Sequence, residues 1–238
     1  MGPDGRWRVI PLKDDIELSR PAVATVALIA VNVLAFAWQV LGPGVNLSVQ
    51  QGGAIPYEIL TFNDVAPPDL VPPPLTILTS MFLHGGLLHI GGNMLFLWIF
   101  GRAVEVALGP ARFLAFYLVS GVAAAISQTV LSSFSGDLLT PMVGASGAIA
   151  GVLAAYMVLF PRARVLTLVP IFFFIRLMYL PAFFFIGAWF LLQLLSAMYS
   201  AGGSGVAFFA HVGGFLAGLV LVRLLRRRPR YHAPHAPW

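Results

Sequence analysis

The sequence predicts an all-α fold, a polytopic bundle of six transmembrane helices. Of the 238 residues, 59% are hydrophobic and only 10% are charged, which is too apolar for a soluble globular domain. Six apolar segments have lengths near the roughly 20 residues that a helix needs to cross a hydrocarbon core of about 30 Å. The Lys and Arg residues between these segments all fall on one predicted side of the membrane, as the positive-inside rule requires.

The six predicted spans, numbered in chain order, are residues 21–41, 82–108, 113–131, 142–160, 177–199 and 206–225. Between spans one and two, residues 42–76 form a Pro- and Gly-rich loop, whose length predicts small elements of its own at the membrane surface. Residues 165–175 are apolar but number only 11 and include Pro170. They predict an interfacial or re-entrant piece rather than a span.

The distribution of charge predicts the topology. With the amino terminus in the cytoplasm, six spans put all 14 Lys and Arg residues on the cytoplasmic side. The opposite side, residues 42–81, 132–141 and 200–205, has no Lys or Arg. We therefore predict a multi-pass protein of a bacterial inner membrane with both termini in the cytoplasm. A cytoplasmic arm, a membrane domain and a basic cytoplasmic tail are expected at residues 1–20, 21–225 and 226–238.

Composition excludes several kinds of chemistry. The chain has no Cys, so it has no disulfide, no thiolate nucleophile and no Cys-ligated zinc site. Its net charge is +5, but the basic residues flank apolar segments instead of forming a stripe on a polar surface, so no nucleic-acid partner is expected. His232 and His235 lie in the tail without a carboxylate partner, and we expect no metal and no cofactor.

Four polar residues are predicted to lie at one depth in the membrane. Spans two, four and six all run from outside to inside, and each of these residues lies within about three turns of the outer end of its span. The four residues are His89, Asn93, Ser146 and His211. Ser146 alone would more often reflect helix packing, since Ser and small residues are common at helix interfaces. Several costly polar groups at one level, however, indicate a functional site.

These residue types suit nucleophilic attack by a serine. A serine hydroxyl needs a general base, and His211 is the ionisable residue on a span that can approach span four closely. His89 and Asn93 lie four residues apart on one helical face. Both can donate to the oxyanion that forms when Ser146 attacks a carbonyl, with the Ser146 backbone N–H assisting. No carboxylate is placed to orient His211, so a Ser-His dyad is predicted.

Small residues and one further histidine surround this predicted site. Gly144, Gly147 and Gly214 remove side-chain bulk, so that neighbouring backbones can approach and the hydroxyl stays uncovered. His84 stands about a turn and a half above His89. We interpret it as structural, with a catalytic role as the less favoured alternative.

Three motifs resemble the rhomboid family of intramembrane serine proteases. They are His84-xxxx-His89-xxx-Asn93 on span two, Gly144-Ala-Ser146-Gly147 on span four and Ala210-His211-Val-Gly-Gly214 on span six. The resemblance covers residues 21–225. It implies a six-helix fold, Ser146 as nucleophile, His211 as general base, and His89 with Asn93 at the oxyanion hole. It also implies transmembrane proteins as substrates within the lipid bilayer, and the sequence does not specify an oligomeric state.

Two positions depart from the family pattern. Many members carry Trp-Arg in the first long loop, where this chain has Leu75 and Thr76, so we expect another anchor for the loop. Some members have a Tyr one turn after the serine that stacks on the histidine. The residue here is Ala150, so we expect the base to be held differently.

Other functions fit the sequence less well. A catalytically silent relative would keep the fold to bind and route membrane clients, and the presence of both Ser146 and His211 argues against it. A transporter would have symmetry-related broken spans around a midplane site, and the sequence has no internal repeat. A soluble α/β-hydrolase is excluded, because its nucleophile follows a strand.

Overall fold

The computed structural model describes residues 10–65, 67–171, 174–199 and 208–225. In chain order its elements are β1 (Ile10–Asp14), α1 (Val23–Leu41), α2 (Val45–Gly52), α3 (Pro56–Thr61), α4 (Pro73–Thr79), α5 (Leu87–Phe96), a π-helical turn (Leu97–Gly101), α6 (Arg102–Leu108), α7 (Pro110–Ser135), α8 (Ser146–Leu159), β2 (Arg164–Ile171), β3 (Phe174–Pro181), α9 (Ala182–Tyr199) and α10 (Phe208–Leu225). The π turn joins α5 and α6 into one continuous helix.

The helices confirm the predicted polytopic bundle. In the described part of the chain, four helices are long and apolar enough to cross a membrane: Val23–Leu41, Leu87–Leu108, Pro110–Ser135 and Phe208–Leu225. They correspond to predicted spans one, two, three and six. The shorter apolar helix α8 (Ser146–Leu159) and the apolar helix α9 (Ala182–Tyr199) lie where spans four and five are predicted.

Span four begins four residues later than predicted, at Ser146. Met142 is extended and pairs through its backbone with Ala54 of the first loop. Gly144 has a φ of +119°, which is outside the helical region and is readily adopted by Gly. The serine is therefore the first residue of α8 and not a residue within it.

A three-stranded antiparallel sheet, in the order β1-β2-β3, includes the described residues of the segment that is predicted to be an interfacial or re-entrant piece. Its last strand takes up residues 177–181, which were predicted as part of span five, so α9 begins only at Ala182. Side chains of β2 alternate: Val165 and Thr167 are buried, whereas Leu166 and Leu168 are partly exposed. Such alternation is the property of a strand with one face on the core.

The helix that begins with the serine occupies the centre of the bundle. Every residue from 147 to 156 in α8 is buried, as expected for a helix that is apolar on all sides. Glycines permit this packing. A Cβ on Gly151 would lie 2.6 Å from the Ser120 Oγ of α7, and a Cβ on Gly218 of α10 would lie 2.5 Å from the Gly151 Cα.

A buried carboxylate joins α1 to α6 at the basic end of the bundle. Glu105 accepts hydrogen bonds from the backbone N–H groups of Ala24 and Thr25, at 2.9 and 2.7 Å, and from the Thr25 hydroxyl at 2.8 Å. These N–H groups belong to the first turn of α1, where backbone donors have no helical partner and negative charge is favourable. Glu105 thus fixes the position of α1 against the second span.

Candidate active site

The structure brings Ser146 and His211 into direct contact. The His211 Nε2 lies 2.7 Å from the Ser146 Oγ, a normal distance for a hydrogen bond to a hydroxyl. Ser146 opens α8, and His211 lies in the first turn of α10. The contact therefore forms at the amino-terminal ends of two adjacent helices.

Gly147 and Gly214 lie at the closest approach of α8 and α10. A Cβ on Gly214 would overlap the carbonyl group of Gly147, and a Cβ on Gly147 would lie 2.5 Å from the Cβ of Ala124 on α7. A side chain at Gly214 would push α10 away from α8, and a side chain at Gly147 would push α7 away from α8. The close approach of α8 and α10, and with it the contact between Ser146 and His211, therefore depends on Gly214.

Two aromatic rings lie beside the His211 ring. The Trp189 ring of α9 lies 5.8 Å from it, tilted by 43°, and the Phe208 ring lies 6.5 Å away, nearly perpendicular to it. Trp189 also lies 6.5 Å from the Phe96 ring of α5. Sequence analysis did not identify Trp189, since nothing distinguishes it from the other aromatic residues of an apolar span.

His89 and Asn93 both face the loop that precedes the serine. A Cβ on Gly144 would lie 2.7 Å from the His89 Nε2 and 3.5 Å from the Asn93 Nδ2. The Gly85 N–H donates to the His89 Nδ1 at 3.3 Å, so a neutral His89 ring carries its proton on Nε2. In the described residues no acceptor contacts the buried Asn93 Nδ2. Two donors thus converge beside Gly144, two residues before Ser146.

His84 is held by its backbone and packs against His89. Gln39 of α1 accepts from the His84 N–H at 2.9 Å, and its amide donates to the His84 carbonyl at 3.2 Å and to Ser48 at 2.8 Å. The His84 ring is fully buried, its nitrogens contact no partner among the described residues, and it meets the His89 ring edge-on at 5.1 Å. Gln39 was missed, although a Gln in an apolar span is itself a signal.

A cavity of about 40 Å³ opens beside Ser146, between the loop before the serine and helices α7 and α10. Its walls include the small residues Gly121, Ala124, Gly147 and Ala210, with Met81 at one side. Side-chain bulk on these walls is low, so the cavity has room for a small apolar group next to the hydroxyl.

The first long loop is anchored without Trp-Arg. Leu75 is half exposed, and the hydroxyl of the buried Thr76 donates to the local Pro73 carbonyl, at 2.5 Å. The anchor is the backbone: Ala54 and Met142 exchange two hydrogen bonds of 2.9 Å, and the Tyr57 N–H donates to the Leu138 carbonyl at 2.9 Å. The loop is therefore tied to the segment that leads into Ser146.

In the described part of the chain, no group of three or more His, Asp and Glu side chains lies close enough together to hold a metal ion. His232 and His235 lie outside the described residues. The predicted absence of a metal remains a prediction.

Known proteins are similar to most of this chain. Rhomboid protein 1 from the mitochondria of Saccharomyces cerevisiae is 31% identical over 159 residues, which are 64% of this chain and 42% of the yeast protein. The human presenilin-associated rhomboid-like protein, also mitochondrial, is 38% identical over 151 residues, 60% of this chain and 36% of the human protein. Rhomboid protease GluP of Bacillus subtilis is 43% identical over 79 residues, 33% of this chain and 14% of that protein.

The comparison with these relatives gives evidence on the localisation of the chain and on its family membership. The chain spans less than half the length of each of them. They include mitochondrial proteins, so they support a membrane protein but not the predicted bacterial inner membrane. The Rhomboid domain matches residues 74–228, which include all three motifs. On this match, which covers more than half of the chain, the chain belongs to the rhomboid family.

Proposed function

We propose that this chain is an intramembrane serine endopeptidase that cuts transmembrane segments of other membrane proteins near their outer ends. The observation that carries the proposal is the 2.7 Å contact between the His211 Nε2 and the Ser146 Oγ. Support also comes from the two side-chain donors that face Gly144, on the approach to the same hydroxyl. A nucleophile, a base and oxyanion donors are the parts that acyl transfer requires.

In the proposed reaction, His211 accepts the proton of Ser146 as the Oγ attacks the scissile carbonyl carbon. The carbonyl oxygen becomes an oxyanion, and His89, Asn93 and the amino-terminal end of α8 stabilise it with hydrogen bonds. His211 then gives the proton to the leaving nitrogen, the C–N bond breaks, and an acyl-enzyme remains. A water molecule, deprotonated by His211, hydrolyses the ester and restores the serine.

Substrate helices are proposed to unwind before cleavage. An intact helix keeps its carbonyl groups in hydrogen bonds, so Gly or Pro near the cut should accelerate the reaction. The cavity beside Ser146 is lined largely by Gly and Ala, which favours a small side chain on the residue before the cut. We propose that this end of the bundle faces the side opposite to the basic termini.

Labelling with a fluorophosphonate tests the proposal, because this reagent reacts with a serine only when a neighbouring base activates it. We expect label on the wild-type protein and none on Ser146→Ala, which removes one oxygen and keeps a good helix former. Cleavage of a transmembrane substrate with Gly near its outer end should disappear in the same variant. A folded wild-type protein that takes no label would favour the silent relative that only binds membrane clients.

A further inference from the structure

The three-stranded sheet presents an apolar face with cationic residues away from the bundle. Residues directly opposite each other in an antiparallel pair lie on the same face. The register places Lys13 and Tyr179 on either side of Leu166, and Leu177 opposite Leu168. Leu177 is 62% exposed and Tyr179 is 55% exposed. We name the set Lys13, Arg164, Leu166, Leu168, Leu177 and Tyr179 the sheet outer face.

The sheet lies where two membrane helices end. β3 ends at Pro181, α9 begins at Ala182, and the Ala182 N–H donates to the Ala163 carbonyl at 2.8 Å. The 14 residues of α8 rise about 21 Å, at about 1.5 Å per residue, against a hydrocarbon core of about 30 Å. A helix of this length that starts below the outer surface ends near the inner edge of the core. The sheet therefore begins at the membrane interface.

The backbone of β3 also favours the interface. Within the described residues β3 is an edge strand, so half of its N–H and C=O groups point away from β2 without a strand partner there. Hydrocarbon cannot satisfy such groups, whereas headgroups and their water can. The tyrosine of the sheet outer face has the same preference, because its ring is apolar and its hydroxyl is polar.

Charge at the sheet outer face indicates which lipid it meets. Lys13 and Arg164 are exposed on this face, and Arg162 and Arg176 are exposed beside it. Asp14 is buried on the opposite face, where Tyr156 donates to it at 3.0 Å. The exposed Asp15 accepts a hydrogen bond from the Arg164 backbone N–H at 2.9 Å, so its carboxylate offsets one of the four exposed positive charges and leaves the face cationic. Basic residues beside exposed apolar ones form the amphipathic pattern that binds anionic membrane surfaces.

We propose that the sheet outer face binds the headgroups of anionic phospholipids. Lys13 and Arg164 contact the phosphate groups, and Leu177 and Tyr179 enter the region of the uppermost acyl carbons. The site lies on the side of the bundle opposite to Ser146, and the proposal does not depend on protease activity.

A single fluorescent label tests this contact, because the chain has no Cys and Leu177→Cys can be labelled uniquely with bimane. The labelled protein is placed in phosphatidylcholine vesicles that contain nitroxide-labelled phosphatidylglycerol or, separately, nitroxide-labelled phosphatidylcholine. Each basic residue near an anionic surface favours association by about fivefold. We therefore expect quenching by the anionic lipid at a concentration roughly 20-fold lower than by the zwitterionic one.

Matched variants assign the preference to this face. Lys13→Gln combined with Arg164→Gln should bring the two quenching curves together, because both side chains are exposed and their removal leaves the backbone bonds of the sheet intact. Arg223→Gln on α10 removes an exposed charge that contacts only the Leu219 carbonyl among the described residues, and it should leave the curves apart. Equal quenching by the two lipids in the unsubstituted protein would overturn the anionic preference. Absence of quenching by either lipid would overturn the lipid contact and indicate water, a second copy or another protein on this face.

Discussion

Gly218→Ala is expected to abolish most of the turnover by separating α10 from α8. A Cβ at residue 218 would lie 2.5 Å from the Cα and from the carbonyl oxygen of Gly151, whereas carbon atoms in van der Waals contact are about 3.5 Å apart or more. The helices must separate by about 1 Å to remove this overlap. Carried along the helices to the site, that shift would stretch the 2.7 Å contact between His211 and Ser146 beyond hydrogen-bond distance.

Loss of a positioned general base typically costs about 100-fold or more in rate. The assay is the rate of cleavage per folded molecule, with the folded fraction taken from thermal unfolding in the same detergent. Gly187→Ala on α9 is the matched control, since no heavy atom lies within 4 Å of a Cβ there, while the change in helix propensity is the same. Wild-type turnover in folded Gly218→Ala would refute the argument that close packing of α8 and α10 sets the dyad.

Two further results are expected. His89→Ala and Asn93→Ala should each lower kcat by about 100-fold or more with KM and Tm nearly unchanged, because the charge that the two side chains stabilise exists only in the transition state. A lower Tm with normal turnover of the folded fraction would instead show that His89 and Asn93 stabilise the loop. Burial and the carboxylates of Glu58 and Asp64 raise the pKa of Asp69 from 3.8 to about 7, so the folded protein should lose stability as the pH rises from about 4 to about 7. Asp69→Asn should flatten the dependence of Tm on pH over this interval, and an unchanged dependence would show that Asp69 is not its source.

Sequence predicted the meeting of Ser146 and His211 because two independent constraints agree. The one-sided distribution of charge fixes the direction of each span, and the rise per residue then places the polar residues of spans two, four and six at one depth. Glycines on spans four and six predict their close approach, and the structure has it at Gly214 and Gly147. The charge distribution and the glycine spacing can both be read from short stretches of sequence. Spans two, four and six run in the same direction, so few arrangements of these three helices are possible.

The sheet was not predicted because its strands carry no polar alternation. From residue 165 to 175 the sequence is almost uniformly apolar, and periodicity cannot separate a strand from a helix segment in such a run. The late start of α8 was missed for a similar reason. It depends on the pairing of Met142 with Ala54, and that contact joins residues far apart in sequence.

The aromatic environment of His211 also lay beyond sequence reasoning. Trp189 reaches the ring from α9, and its position depends on where that helix begins after the sheet. A shift of five residues in the start of α9 moves the expected side-chain positions around the helix by more than a full turn. Side-chain neighbours on such a helix cannot then be assigned.

The complete burial of α8 has a consequence for bilayers of different thickness. Helices that contact lipid respond to hydrophobic mismatch by tilting, but α8 has protein on all sides from residue 147 to 156. A thicker or thinner membrane would act on α1, α7 and α9 first and would reach α8 only through them. The depth of Ser146 below the outer surface should therefore follow the packing of its neighbours, whereas the bilayer determines which part of a substrate helix is presented at that depth. In the proposed protease, membrane thickness would then select the cleavage position without altering the geometry at Ser146 and His211.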